Sequence, residues 1–375
     1  MTGLILDDED GGLALLHDSV AGFAARHPGP AAFRKRRAAG ADLDRDTWAK
    51  MAEAGWLGLM LPEELGGAGL GLPEQAVLSE ALGRALVTEP LAQLSVFAGM
   101  LLAGANAGTE RARLAEGLIA GSVIAAPAWQ GRKGAPAPVE ARVSGDGITL
   151  SGRVEFVSAA QSATDFLVLA RSGGEDILLS VPADAAGVTV DAHPTLDGTM
   201  LAAVSFDGTR VAADRQLAGG NSVGTALDRA IAVTRLMLAA EMAGIATRAI
   251  EETAAYTIER VQFGKRIASF QVVQHRLVDM WADAEFANAA VVHAVETCAE
   301  GQGLPADLAV LAAKARAGDA AVSITRRAIH LHGAMGFTDD CDIGLFMKRA
   351  VALNATLGQP EELRLQFVAR ERVAA

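Results

Sequence analysis

The chain has 375 residues, 51% of them hydrophobic and 21% charged, with a formal net charge of -12. This balance excludes a disordered chain and gives enough length for two or three domains or lobes; the acidic total gives no global attraction for nucleic acid or anionic membranes. The only two cysteines, Cys298 and Cys341, form neither a disulfide scaffold nor a Cys-rich zinc cluster. The acidic start lacks a signal-like run, and charges are expected to interrupt each Ala-rich stretch before membrane-spanning length. A reduced, cytoplasmic setting without membrane insertion is the expectation.

Leu13, Leu16, Val20, Phe23 and Ala24 recur at helical spacing, and Trp48, Met51, Trp56, Leu57 and Leu59 continue an apolar pattern. Pro62 and the glycines of 65–71 interrupt it. A helix over 74–86 and more helix over 91–120 complete a helical domain placed at 1–121. The texture then changes. Short apolar runs at 123–125, 148–156, 164–170, 177–181, 188–190 and 203–206, separated by Gly, Asp, Ser and Pro, predict a small β domain over 122–215. Helical periodicity returns at about Thr225, with further helices at 271–299, 305–333 and 360–372, in a domain over 216–375. This helical, β, helical order opposes a doubly wound sheet, which alternates strands with crossover helices. The glycine run at 67–72 fails G-x-G-x-x-G spacing because Leu72 fills the last glycine position, and no P-loop is present.

Two segments suggest chemistry. In Arg260-Val261-Gln262-Phe263-Gly264-Lys265-Arg266-Ile267, followed by Phe270-Gln271, basic and polar groups surround a glycine where a helix is expected to break. Arginine can donate paired hydrogen bonds to phosphate, and an aromatic ring can pack on a cofactor. The same pattern also fits a solvated helix end. In His330-Leu331-His332-Gly333-Ala334-Met335-Gly336-Phe337, small residues would let another segment or a cofactor approach the backbone. His330 and His332 lack a third metal ligand, so hydrogen bonding is favoured over a metal site.

These segments, with Met51-Ala52-Glu53-Ala54-Gly55-Trp56-Leu57-Gly58-Leu59, Leu61-Pro62-Glu63-Glu64-Leu65-Gly66-Gly67 and Glu80-Ala81-Leu82-Gly83-Arg84, resemble the acyl-CoA dehydrogenase family over almost the whole chain. The resemblance implies an N-terminal all-α domain, a middle β domain and a C-terminal four-helix-bundle domain, assembled as dimers or tetramers with FAD near a subunit boundary. It implies FAD contacts from Arg260, Gln262, Phe263, Ile267, Phe270 and Gln271, and from His330, Gly333 and Ala334, where His330 stands for a common Gln and Ala334 for the second Gly of a pair. Phe156-Val157-Ser158 resembles a Trp-x-Thr/Ser element beside the flavin ring, with Phe156 facing the ring and Ser158 hydrogen-bonding its reacting edge; a strand end with a core Phe and a turn Ser is the other reading. The family segment before it is replaced here by Ala125-Ala126-Pro127-Ala128-Trp129 and Gly131-Arg132-Lys133-Gly134.

The family reaction removes a proton beside a thioester carbonyl with a carboxylate while hydride passes to the flavin. Both family positions for that carboxylate are empty: one falls on Leu357, the other on Thr234. Glu241, two turns beyond Thr234, is a weak substitute and could instead be a structural partner of Arg235 or Arg248; Asp339, Asp340, Glu361 and Glu362 are weaker still. The expected function is therefore FAD-dependent α,β-dehydrogenation of an acyl-CoA by a subunit of a complex, with a related dehydrogenase subunit supplying the base and a separate electron acceptor taking the electrons. Relatives of this divided kind handle bulky thioesters, including steroid side chains. The alternatives are a self-associating, self-sufficient dehydrogenase with a displaced base, and a non-catalytic structural subunit.

Overall fold

The computed structural model describes residues 3–145 and 147–374. Its helices are α1 (Gly12–Arg26), α2 (Gly29–Ala39), α3 (Arg45–Glu53), α4 (Leu72–Ala85), α5 (Ala98–Ala103) and α6 (Thr109–Ile119), with a π-helical stretch at Ala92–Phe97 leading into α5. Strands follow: β1 (Ala125–Ala128), β2 (Val139–Ser144), β3 (Gly147–Ser158), β4 (Asp165–Ser172), β5 (Glu175–Pro182), β6 (Val188–Pro194), β7 (Met200–Ala212) and β8 (Gln216–Gly219). The long helix α7 (Asn221–Glu259), the short pair β9 (Val261–Gln262) and β10 (Lys265–Arg266), and helices α8 (Gln271–Glu300), α9 (Leu304–His332), α10 (Ile343–Ala355) and α11 (Pro360–Ala374) complete the chain.

The residues group into two compact units. One comprises Arg36–Gly71 and Glu89–Thr234 and contains the main sheet, ordered β6-β7-β3-β2-β4-β5-β8, with β1 also parallel to β4. Central strand β4 is buried along Asp165–Ala170, which is why its sequence reads as a nearly continuous apolar run rather than an alternating one. Asp44 caps α3 by accepting hydrogen bonds from the Asp46 and Thr47 amides, both at 3.1 Å. Just before it, the Asp42 carboxylate accepts from the Gln161 amide at 2.7 Å and the Ser162 hydroxyl at 2.6 Å. The turn that follows β3 is thereby fixed from a distant part of the sequence.

The other unit comprises Met1–Lys35, Leu72–Thr88 and Arg235–Ala375. Its packing explains the alanine excess. The buried side of α9 includes Ala309, Ala313, Ala317, Ala320, Ala321 and Ala328, and side chains this small let helices approach closely. Helices α4 and α7 approach each other closely. A Cβ on Gly83 would lie 2.1 Å from the Glu241 carbonyl oxygen, and one on Gly244 would lie 2.0 Å from the Glu80 carbonyl oxygen. Each helix therefore presents a glycine to the other's backbone.

One stretch corrects the expectation that charges break every apolar run short of membrane length. An 18-residue stretch of α7 is long and apolar enough to cross a membrane, yet 78% of it is buried inside the protein. It is the core helix of a folded protein. Other departures are additions: the sequence reading places no element at β2, β8 or α10, and the break after α7 is a strand pair.

Glu80, on α4, is 3% exposed, and its nearest cation is Arg84 at 3.6 Å. Burial outweighs that neighbour and pushes the carboxyl up to about 7. The folded chain thus keeps a proton that the unfolded chain releases near 4.5, so this contribution is full below that pH and is lost as pH rises towards 7. Urea melts of the native chain should show stability falling by on the order of 3 kcal/mol between pH 4.5 and 8 from this group, a slope that Glu80→Gln removes. Gly244→Ala should destabilise by about 3 kcal/mol or prevent folding, whereas alanine at Gly224, an exposed helical position with open space around its Cβ, should raise stability by up to about 1 kcal/mol.

Candidate functional site

The Arg260 segment is a tight hairpin. Gln262 pairs with Lys265, leaving Phe263 and Gly264 as a two-residue turn with φ of 54° and 72°. Both left-handed values match the turn type that usually carries Asn-Gly, so a phenylalanine here strains the backbone. Its ring gains little burial in return: Phe263 is 90% exposed and meets only the edge of Phe270, centroids 6.3 Å apart. Arg260, Gln262 and Gln271 are exposed, and none spends a side-chain hydrogen bond inside the described chain; Ile267 and Phe270 are half-buried. The hairpin thus presents free donors and an aromatic face outward.

The second segment ends α9. His332 is buried, its ring stacked on Tyr256 at 4.3 Å, with Nδ1 2.8 Å from the Ala328 carbonyl, and the Tyr256 hydroxyl donates to the His332 carbonyl. That histidine is structural. His330 is exposed, with Nδ1 2.8 Å from Arg276 Nη1 on α8, so the guanidinium donates to a ring nitrogen that carries no proton. Gly333 has φ 65° and open space where a Cβ would point, beside exposed Ala334. Among the described residues no group of His, Cys, Asp and Glu could hold a metal.

In the sheet-bearing unit, Phe156 lies at a bulge of β3, where the register with β7 shifts between Val154 and Val157. It has φ 60° and is 47% exposed, so its ring is turned outward rather than into a core. Ser158, at the end of the strand, is half-buried and is followed by Ala159 with φ 51°.

Of the three main positions weighed for a base, two carry no carboxylate and the third, Glu241, is paired. Thr234 is fully buried and its hydroxyl has no hydrogen-bond partner. Leu357 has φ 57°, and its carbonyl accepts from Arg235 Nε at 2.8 Å. Arg248 bonds Glu252, one turn along α7, and Glu241 has the structural partner expected of a buried carboxylate. It faces Arg349 on α10, with Oε1 2.8 Å from Nε and 2.7 Å from Nη2. Arg349, 6% exposed, was missed in the sequence because its partner is 108 residues away and an isolated arginine gives no sign that it is buried. The unexpected Lys314 is likewise buried, on α9, with Nζ 3.1 Å from the Leu353 carbonyl.

Residues 13–121 match the family description Acyl-CoA dehydrogenase, N-terminal domain, and residues 224–371 match Acyl-CoA dehydrogenase, C-terminal domain. The chain is similar to acyl-CoA dehydrogenase IpdE2 of Mycolicibacterium smegmatis, 30% identical over 351 residues, covering 93% of this chain and 95% of that protein. Among solved structures it resembles the ChsE4-ChsE5 complex of Mycobacterium tuberculosis, at 27% identity and a TM-score of 0.87 over 99% of both chains. It also resembles a variant of the Tcur3481-Tcur3483 steroid ACAD, at 29% identity and a TM-score of 0.86 over 97% of this chain and 99% of that one. Its fold has the family's N-terminal helical domain, central β-sheet domain and C-terminal helix bundle. The chain belongs to the acyl-CoA dehydrogenase family.

Proposed function

We propose that this chain is a FAD-dependent subunit for the α,β-dehydrogenation of an acyl-CoA thioester, working in a complex whose partner supplies the catalytic base. The observation that carries the divided site is the state of the three base positions: a leucine, a buried threonine and a glutamate spent on Arg349. ChsE4-ChsE5 and Tcur3481-Tcur3483, each named as a pair, support a related second subunit, and the steroid named for the latter supports a bulky, apolar acyl group. A separate acceptor for the electrons and a cytoplasmic location complete the reading.

The outward residues suit the cofactor by their chemistry. Arg260, Gln262 and Gln271 offer uncommitted donors to phosphate and ribose oxygens; Phe263 offers a ring face; Ile267 and Phe270 back the hairpin. His330, oriented by Arg276, keeps its other ring nitrogen as a donor, while Gly333 and Ala334 leave the adjacent backbone open to close approach. Phe156 and Ser158 would serve the ring and its reacting edge. When bound, FAD supplies the hydride acceptor. The chain's own residues hold and orient; none of the three positions moves the proton.

The strain at Phe263 makes this reading testable apart from turnover. Phe263→Asn should leave thermal stability unchanged or raise it by up to about 1 kcal/mol, since asparagine tolerates the left-handed turn. It should nevertheless lower retained flavin several-fold, read from the 450 nm absorbance of the purified assembly. Equal flavin in variant and parent would remove Phe263 from the site.

Co-purification with a companion subunit, then anaerobic titration with acyl-CoAs of increasing bulk, tests the division of labour. Flavin bleaching is expected only in the complex. Glu241→Gln should destabilise by about 3 kcal/mol by stranding buried Arg349. The paired change Glu241→Met with Arg349→Met should restore folding and leave the bleaching rate of the complex within about twofold. A bleaching rate that collapses in the folded double variant would make Glu241 the base and defeat the divided-site reading.

A further inference from the structure

An α-helix leaves its last four carbonyls without intrahelical partners. At the end of α10 a buried lysine takes two of them: Lys314 Nζ lies 3.1 Å from the Leu353 carbonyl oxygen and 3.3 Å from that of Asn354. The same ammonium reaches the Gly358 carbonyl at 3.4 Å, and Arg235 holds the intervening Leu357 carbonyl at 2.8 Å. Two cations, one from α9 and one from α7, thus hold four carbonyls within six residues.

This is more than a helix end requires, because water or a neutral donor satisfies a carbonyl at lower desolvation cost. Burial, with the nearby charge of Arg235, pushes Lys314 down to about 7, so holding an ammonium among these carbonyls costs free energy. What the pair holds is a strained backbone. Leu357 at φ 57° precedes Gly358 at φ 112°. A left-handed leucine costs about 1–2 kcal/mol and persists only where its surroundings over-determine it. Leu357 is only half-buried, so core packing alone does not account for the strain. Gly318 makes room beside the clamp, since a Cβ there would lie 2.0 Å from Asn354 Oδ1.

We propose that Arg235 and Lys314 are positioning residues of the acyl-CoA site, fixing the backbone of 353–358 so that the side chain at 357 meets the acyl group in one orientation. Leucine there presents an apolar contact, which selects a hydrocarbon-rich acyl chain. This inference rests on the acyl-CoA reading above.

Hydrogen exchange of the native full chain by mass spectrometry tests the clamp without any cofactor. Lys314→Met, which keeps the stem and removes the ammonium, should speed exchange of the 356–359 amides at least about tenfold, with the rest of the chain unchanged. In the flavin-loaded complex it should raise KM for a bulky acyl-CoA at least about fivefold with kcat within about twofold, and flavin content should not change. If Lys314→Met does not fold, Arg235→Gln is measured in the same way, and Arg235→Lys should recover part of the protection. Unchanged exchange at 356–359, uniformly faster exchange across the chain, or an unchanged KM would each overturn the positioning role. Failure of the native complex to take up flavin would instead defeat the oxidoreductase reading, leaving the exchange result to judge the clamp by itself.

Discussion

An L-residue forced into the left-handed region of backbone space loses about 1–2 kcal/mol, so a fold places one there only where neighbouring contacts outweigh the strain. Among the described residues five non-glycines have positive φ: Leu86, Phe156, Ala159, Phe263 and Leu357. Leu86 is a buried residue just beyond the end of α4, and its side-chain burial repays the strain. The other four lie in or beside the segments where the family resemblance puts flavin contacts and the base. Two of them, Phe156 and Phe263, turn large rings toward solvent, the opposite of what burial alone would select. Strain combined with exposure is hard to explain by the stability of the single chain, and it is what a surface prepared for a ligand or another subunit requires.

Each strained segment is held by rigid structure behind it. The end of β3 leads into a turn fixed by Asp42, through hydrogen bonds to Gln161 and Ser162, and the Ser162 carbonyl accepts from Arg45. The Phe263 hairpin is tied at its base by the Ile267 amide donating to the Arg260 carbonyl at 2.8 Å. Residue 357 sits between the carbonyl contacts of Arg235 and Lys314. Site precision in this chain comes from polar contacts to backbone atoms, while the alanine and glycine packing of α4, α7 and α9 supplies the rigid base.

This difference governs how much the sequence discloses. Helices α8, α9 and α11 and strands β3 to β7 were legible because apolar periodicity reports a buried face directly. Helix α10 was not, since buried Arg349 and the neighbouring Lys348 break the apolar stripe that would have marked it. The strand pair β9–β10 was missed because each strand has two residues and the turn carries Phe-Gly, not Asn-Gly. Segment identity at the site was readable by resemblance; the partners of Glu241 and the carbonyl role of Lys314 were not, because both depend on residues brought together from far apart in the chain.

The same contrast bears on how a family scaffold can change the side chains of a loop and still keep its architecture. Had the loop around 357 been maintained only by contacts of the side chain there, half-buried Leu357 would leave it free to adopt an unstrained conformation. Here the loop is held through carbonyl oxygens, which every amino acid possesses, so its geometry is independent of the side chain at 357. Backbone clamping therefore separates the shape of the site from its chemistry. A chain built in this way can hand a proton-transfer role to a companion while continuing to hold and orient, and the buried Glu241–Arg349 pair joins α7 to α10 through a carboxylate that packing has engaged.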